Sequence, residues 1–156
     1  MKRSTLLVAG VVAVLTLTAA APVASARGGG GRFVAGGMKG SNEVPPVSTG
    51  DPDGAGFALI ELDRSDNSVC VRDAAFGGTA APFLFHIHAG AAGVNGPIVV
   101  DFTALLPSGI GCGVITSTDK HIVQKIRQHP EQYYVNMHTA EFPGGAIRGQ
   151  LVTVQP

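Results

Sequence analysis

The chain has 156 residues, 11 basic and 11 acidic side chains, and a formal net charge of zero at pH 7. That length suits a single domain. A neutral chain with no basic stripe has little to neutralise a run of phosphates, so nucleic acid is excluded as an expected partner.

The first segment does not belong to the domain. Lys2 and Arg3 form a short basic start, Leu6 to Ala21 is an uncharged apolar run, and Ala24-Ser25-Ala26 is a small-x-small cleavage signal. This pattern reads as a secretory signal peptide over residues 1–26. The apolar run is short for a membrane span of about 20 residues and Pro22 closes it, so no membrane span is expected after cleavage. Cleavage removes Lys2 and Arg3, leaving 9 basic residues against 11 acidic ones. Residues 27–32 are mostly glycine and read as a flexible leader. The folded domain is expected from residue 33 to residue 156.

Phe33-Val34-Ala35 opens the first strand. In Asn42-Glu43-Val44-Pro45-Pro46-Val47 two prolines forbid helix and push Val44 to an extended conformation. Asp51-Pro52-Asp53-Gly54 is a turn. Gly56 to Asp63 reads as a strand, stopped by Arg64-Ser65-Asp66-Asn67 and continued as a hairpin into Ser68 to Arg72. Gly77-Gly78 and Pro82 lead into Phe83-Leu84-Phe85-His86-Ile87-His88. Along a strand, side chains two apart leave by the same face. Phe83, Phe85 and Ile87 therefore point one way, and His86 and His88 the other.

Ala91 to Pro97 is a glycine-rich loop that lacks the Lys-Ser/Thr of a nucleotide site, so it reads as a plain turn. Pro97 to Phe102 and Ile110 to Thr116 are further strands. Ile122, Val123 and Ile126 then fall at helical spacing, with Thr118 or Asp119 as cap and Pro130 as stop. This gives one short helix from about Asp119 to Gln128, flanked by exposed His121 and His129. Tyr133 to Thr139 is a strand carrying Asn136 and His138, Pro143-Gly144-Gly145 a turn, and Ala146 to Val154 the last strand. About eight short strands and one helix argue an all-β Greek-key sandwich or barrel.

Both cysteines, Cys70 and Cys112, lie in the exported part. An even pair in an oxidising compartment reads as one disulfide, with buried free thiols as the competing reading. Closing a loop of some forty residues is worth roughly 4 kcal/mol in the chain-entropy model.

The one constellation with chemistry in it is His86, His88 and His138, which pairing of their two strands would bring together. Neutral imidazole suits copper or zinc, and three ligands leave a position for water. The competing reading is structural: imidazoles that hydrogen-bond backbone and loop groups. Asn136 shares a face with His138 and either orients a ligand from behind or bonds to a loop. Arg148 either pairs with Glu43 or Asp101 as an internal lock, the preferred reading, or binds an anion at the surface. No G-x-S-x-G elbow or other activated nucleophile is present, so no hydrolytic site is expected.

The motifs Asn42-Glu43-Val44-Pro45-Pro46, Phe85-His86-Ile87-His88 with Gly90, and Asn95-Gly96-Pro97 resemble the CHRD domain, the module named after chordin. The resemblance continues through Tyr134-Val135-Asn136, His138-Thr139, Pro143-Gly144-Gly145 and Ile147 to Leu151. It implies an extracellular β-sandwich domain, a binding or structural module with an extracellular ligand or protein partner. Ala146 departs from it, standing where the family commonly has glutamate. A second resemblance is to copper–zinc superoxide dismutase: Phe85 to His88 looks like its copper-binding strand and Gly111 to Ile115 like its disulfide-bearing strand. That likeness implies the alternative of a copper-dependent redox enzyme. No histidine lies between His88 and His121, however, so the bridging histidine and zinc cluster have no counterparts.

Export with cleavage after Ala26 predicts a chain beginning at Arg27 in cell-free medium, read by mass spectrometry. Full-length chain confined to the membrane fraction is the contrary outcome.

Overall fold

The computed structural model describes residues 32–154. The expected signal peptide and glycine leader lie outside these residues, save that Arg32 already belongs to the first strand. Nine strands follow in order: β1 (Arg32–Lys39), β2 (Ala55–Asp63), β3 (Ser68–Gly77), β4 (Pro82–Ala89), β5 (Ile98–Asp101), β6 (Gly111–Cys112), β7 (Val114–Ile115), β8 (Tyr133–Thr139) and β9 (Ile147–Thr153). A single α-helix among the described residues, α1 (Ile122–Gln128), precedes β8.

All neighbours are antiparallel, in the order β6-β3-β2-β1-β9-β8-β4-β5-β7. The non-consecutive neighbours are β3–β6, β1–β9, β4–β8 and β5–β7, and the long returns β1–β9 and β4–β8 are crossovers of the expected Greek-key kind. The two edge strands, β6 and β7, are separated by Gly113 alone, whose N–H donates to Val69 O at 3.0 Å. The segment from Gly111 to Ile115 thus pairs with β3 at one end and β5 at the other. The architecture is all-β and sandwich-like. The count is nine strands rather than about eight because the single strand expected over Ile110–Thr116 divides at Gly113.

Local chemistry explains the elements. Ala58, Ile60 and Leu62 alternate inward along β2, with Glu61 on the other face. The β2–β3 turn is held by Asp63 Oδ1, which accepts from Ser65 N, by Asp66 Oδ1, which accepts from Ser68 N, and by Asn67 at φ 56°. Such short polar side chains hydrogen-bond their own backbone and tolerate the left-handed region. Helix α1 buries Ile122, Val123 and Ile126 on one face. It starts three residues later than expected because Asp119 forms a turn ahead of it, accepting from His121 N on its carboxylate and from Ile122 N on its carbonyl. His121 and His129 are exposed, as expected.

The core gathers Val34, Ile60, Leu62, Val71, Phe85, Ile87, Phe102, Val135, Met137, Ile147 and Leu151, all fully buried. At about 1.5–3 kcal/mol for each large apolar side chain, this burial is the main stabilising term. Ala146 is part of the same cluster, so the glutamate that the family commonly has would here enter apolar surroundings. Gly36 lets β1 cross close to β8: a Cβ there would lie 2.4 Å from Val135 Cγ1.

Cys70 and Cys112 face each other across β3 and β6 and form a disulfide, 42 residues apart in sequence. It ties the short edge strand β6, which has two residues of pairing of its own, to the long strand β3. Reduction, or Cys70→Ala with Cys112→Ala, should lower stability by about 2–4 kcal/mol. Chemical denaturation measures it, and an unchanged midpoint would remove the bond's structural role.

Candidate metal centre

Pairing of β4 with β8 sets the site. The register places His86 opposite Asn136, His88 opposite Tyr134 and Leu84 opposite His138. Residues directly opposite in an antiparallel pair share a face. Phe85, Ile87, Val135 and Met137 take the inner face and fill the core. The histidines, Tyr134 and Asn136 take the other. β5 adds Asp101 opposite His86, and β9 adds Arg148 and Gln150 opposite Asn136 and Tyr134. A polar face is thereby assembled on the back of an apolar one, from alternation alone.

Loops cover this face, so it is buried: His86 is 4% exposed and His138 7%, with His88 half-buried. One nitrogen of each imidazole is held by a protein group. His88 Nδ1 lies 2.9 Å from Gly96 O, and His138 Nδ1 2.9 Å from Pro143 O. A carbonyl only accepts, so both Nδ1 atoms carry the proton and both Nε2 atoms present a lone pair. His86 Nε2 sits 3.3 Å from Thr103 Oγ1 and 3.6 Å from Asp101 Oδ1, and its Nδ1 lies 3.4 Å from His138 Nε2. With the proton on Nε2, toward Asp101, His86 offers Nδ1 as a third lone pair. With the proton on Nδ1, it donates to His138 Nε2 and the pair is satisfied without an ion.

His88 Nε2 is satisfied by neither arrangement. It is buried and has no hydrogen-bond partner. The ligating atoms of His86, His88 and His138 all lie within 4.8 Å of one another. Two nitrogens bound to one tetrahedral zinc at about 2.05 Å would stand about 3.3 Å apart. The 3.4 Å between His86 and His138 already matches that. Two carbonyls and the Thr103 hydroxyl on the far nitrogens, with the Asp101 carboxylate close behind, are the kind of outer partner that fixes tautomer and ring orientation in metal-ligating histidines.

Burial pushes all three imidazole pKa values down, and that of His88 to about 4. For His86 the neighbouring His138 adds to the effect. The cluster is therefore neutral at neutral pH, the state in which imidazole binds metal.

His88 and Arg148 sandwich Tyr134. The imidazole stacks on the phenol ring at 4.8 Å between centroids and 6° between planes, and the Arg148 guanidinium carbon lies 3.4 Å from the ring centroid. Arg148 is 1% exposed and donates to Asn95 Oδ1, Ala91 O and Val94 O, at 3.2, 3.0 and 2.8 Å. It locks the 91–97 loop rather than pairing with Glu43 or Asp101; no described carboxylate forms an ion pair with it. Asn136 donates its amide to Glu43 Oε1 and to Ile147 O, so it holds a loop side chain and does not reach the imidazoles. Glu43 lies over Gly145, where any Cβ would come within 2.6 Å of its carboxylate. Burial raises the Glu43 carboxyl to about 7, against the lowering by Arg148 and Asn136. Glu141, three residues past His138, is exposed.

Sequence reasoning found the three histidines but not Asp101 and Thr103 beside them, nor the burial of Glu43. The two carbonyls that orient His88 and His138 carry no side-chain signature. They do fall inside the quoted motifs Asn95-Gly96-Pro97 and Pro143-Gly144-Gly145.

Among known proteins, the family model of the CHRD domain matches residues 34–151. No curated protein and no solved structure matches the chain. The likeness to copper–zinc superoxide dismutase rests on its two quoted motifs alone.

The pKa shifts have opposite consequences for stability. His88, lowered in the fold, contributes stability above the unfolded value near 6.5 that is lost as pH falls through about 4. Glu43, raised in the fold, contributes stability below 4.5 that is lost as pH rises through about 7. In the metal-free domain Glu43 should thus offset part of the rise in stability with pH that the three lowered histidines give between pH 4.5 and 6.5. In Glu43→Gln the histidine slope should stand alone, a fall of up to about 3 kcal/mol from pH 7 to pH 4. Urea denaturation across that range measures it, and a pH-independent Glu43→Gln variant is the contrary outcome.

Proposed function

The chain belongs to the CHRD domain family, and from that premise we propose that it is an exported extracellular binding or structural module. Its His86–His88–His138 cluster holds one divalent zinc or copper ion. The observation that carries the metal is His88 Nε2, a buried lone pair with no partner, facing two further imidazole nitrogens. A buried polar atom left unsatisfied costs about 1–3 kcal/mol, and a cation shared by three lone pairs removes that cost. The export signal and the disulfide support an oxidising, extracellular setting. No described helix is long and apolar enough to cross a membrane.

The ion orders the face rather than starting a reaction. Three strand-borne ligands would tie β4 to β8 and, through Gly96 and Pro143, hold the two covering loops against the sheet. The domain then presents those loops to an extracellular ligand or protein. The redox alternative needs copper with an exchangeable fourth position, and the same experiment distinguishes it.

Calorimetric titration of metal-free mature protein should show saturable binding of zinc or copper near one equivalent. Because burial lowers the imidazole pKa values, affinity should persist below pH 6.5 and collapse only toward about 4. His138→Ala should weaken binding at least about tenfold. His129→Ala should not, since His129 is exposed and faces Glu131 at 3.5 Å. Absence of saturable binding contradicts the reading, and superoxide turnover by the copper form would favour the redox enzyme.

A further inference from the structure

A second site lies beside the histidines and is independent of any metal. Between the segment carrying Asn42, Glu43 and Val44, the loop at Gly93, and Arg148 and Gln150 of β9 is a cavity of about 470 Å³. That volume lies within the range of small-molecule sites. Its two charged walls are unusual. Arg148 is 1% exposed and Glu43 9%, so both are more than nine-tenths buried. Buried charges are ordinarily paired. These two line one cavity and influence each other electrostatically, yet they form no ion pair.

Each also has an unused polar edge. Arg148 gives its two terminal nitrogens to neutral acceptors, Asn95 Oδ1, Ala91 O and Val94 O. Among the described residues its Nε has no acceptor, and its charge feels Glu43 only at a distance, with no carboxylate in ion-pair contact. Glu43 takes the Asn136 amide on Oε1, while Oε2 has no donor among the described residues. The rise of its carboxyl to about 7 has burial as its largest cause, so Arg148 and Asn136 compensate the charge only in part.

A ligand of one sign would satisfy one wall and be repelled by the other. A neutral sugar would want an aromatic platform, but no aromatic side chain lines the cavity, and Tyr134 is covered by the Arg148 guanidinium. A compact zwitterion satisfies both walls at once. We propose that this cavity binds a free α-amino acid, its ammonium group at Glu43 and its carboxylate at Arg148. The apolar rim at Val44, Pro45 and Ala92 would meet the ligand's side chain.

The test is titration of metal-free mature protein with glycine, leucine, lysine and glutamate, followed by calorimetry and by backbone amide shifts. The proposal expects saturable one-to-one binding of at least one of them. Blocking the amine as the N-acetyl derivative, or the acid as the amide, should each weaken it at least tenfold. Glu43→Gln, verified as folded by its amide spectrum, should do the same. The blocked ligands keep the test decisive even if variants at Arg148 do not fold. No saturable binding up to about 10 mM, equal binding of a blocked derivative, or preference for glucose would overturn the proposal. None of these outcomes depends on whether the histidines hold metal.

Discussion

The polar face of this domain depends on one desolvated cation. Arg148 projects from β9, lies flat on Tyr134, and reaches two carbonyls and one side-chain amide of the 91–97 loop. A guanidinium suits this role because its planar fork satisfies several acceptors while its face stacks on an aromatic ring. Lysine at the same position would offer neither the plane nor the fork. With the loop fixed, Gly96 O is in place to accept a hydrogen bond from His88 Nδ1–H, and that bond leaves the Nε2 lone pair without a partner. The stack continues through Tyr134 to His88, so one column of three side chains aligns loop, strand and imidazole.

The cost of this arrangement is desolvation, and it appears in the three histidines and in Glu43. Burial lowers the three imidazole pKa values and raises that of Glu43, in each case disfavouring the charged form. A face kept only for structure would be more stable with apolar residues of similar volume. What distinguishes this one is a pair of features: a His88 Nε2 lone pair without a partner beside two further imidazoles, and the opposite charges of Glu43 and Arg148 lining one cavity. Each matches what a ligand supplies, a cation in the first case and a pair of opposite charges in the second.

Much of the fold was legible from alternation. The apolar positions of β2, β4 and β8 repeat with period two, and the same period places His86 and His88 together on the opposite face from Phe85 and Ile87. Pairing of β4 with β8 then followed from the apolar flanks of both runs. The division of β6 from β7 was not legible, because it comes from Gly113 passing between two partner strands and not from any break in the pattern. The start of α1 was misplaced because Asp119 acts as a turn residue three positions before the helix. Arg148 was readable as a lock but not as this lock, since its partners are mainly backbone carbonyls, which every residue type supplies. Burial of Glu43 was hidden for a related reason: the Asn-Glu-Val-Pro-Pro segment reads as a surface crossing, and only the folded face shows what it covers.

The central claim is that three histidines from two strands share one ion through His86 Nδ1, His88 Nε2 and His138 Nε2. Anomalous diffraction at the metal edge, from crystals of the zinc-loaded mature protein, tests it most directly. The account predicts one strong peak at about 2.0–2.1 Å from each of those three nitrogens, with the Gly96 and Pro143 carbonyl contacts retained. A peak elsewhere, or none at this centre while His86 and His138 stay hydrogen-bonded to each other, would contradict it.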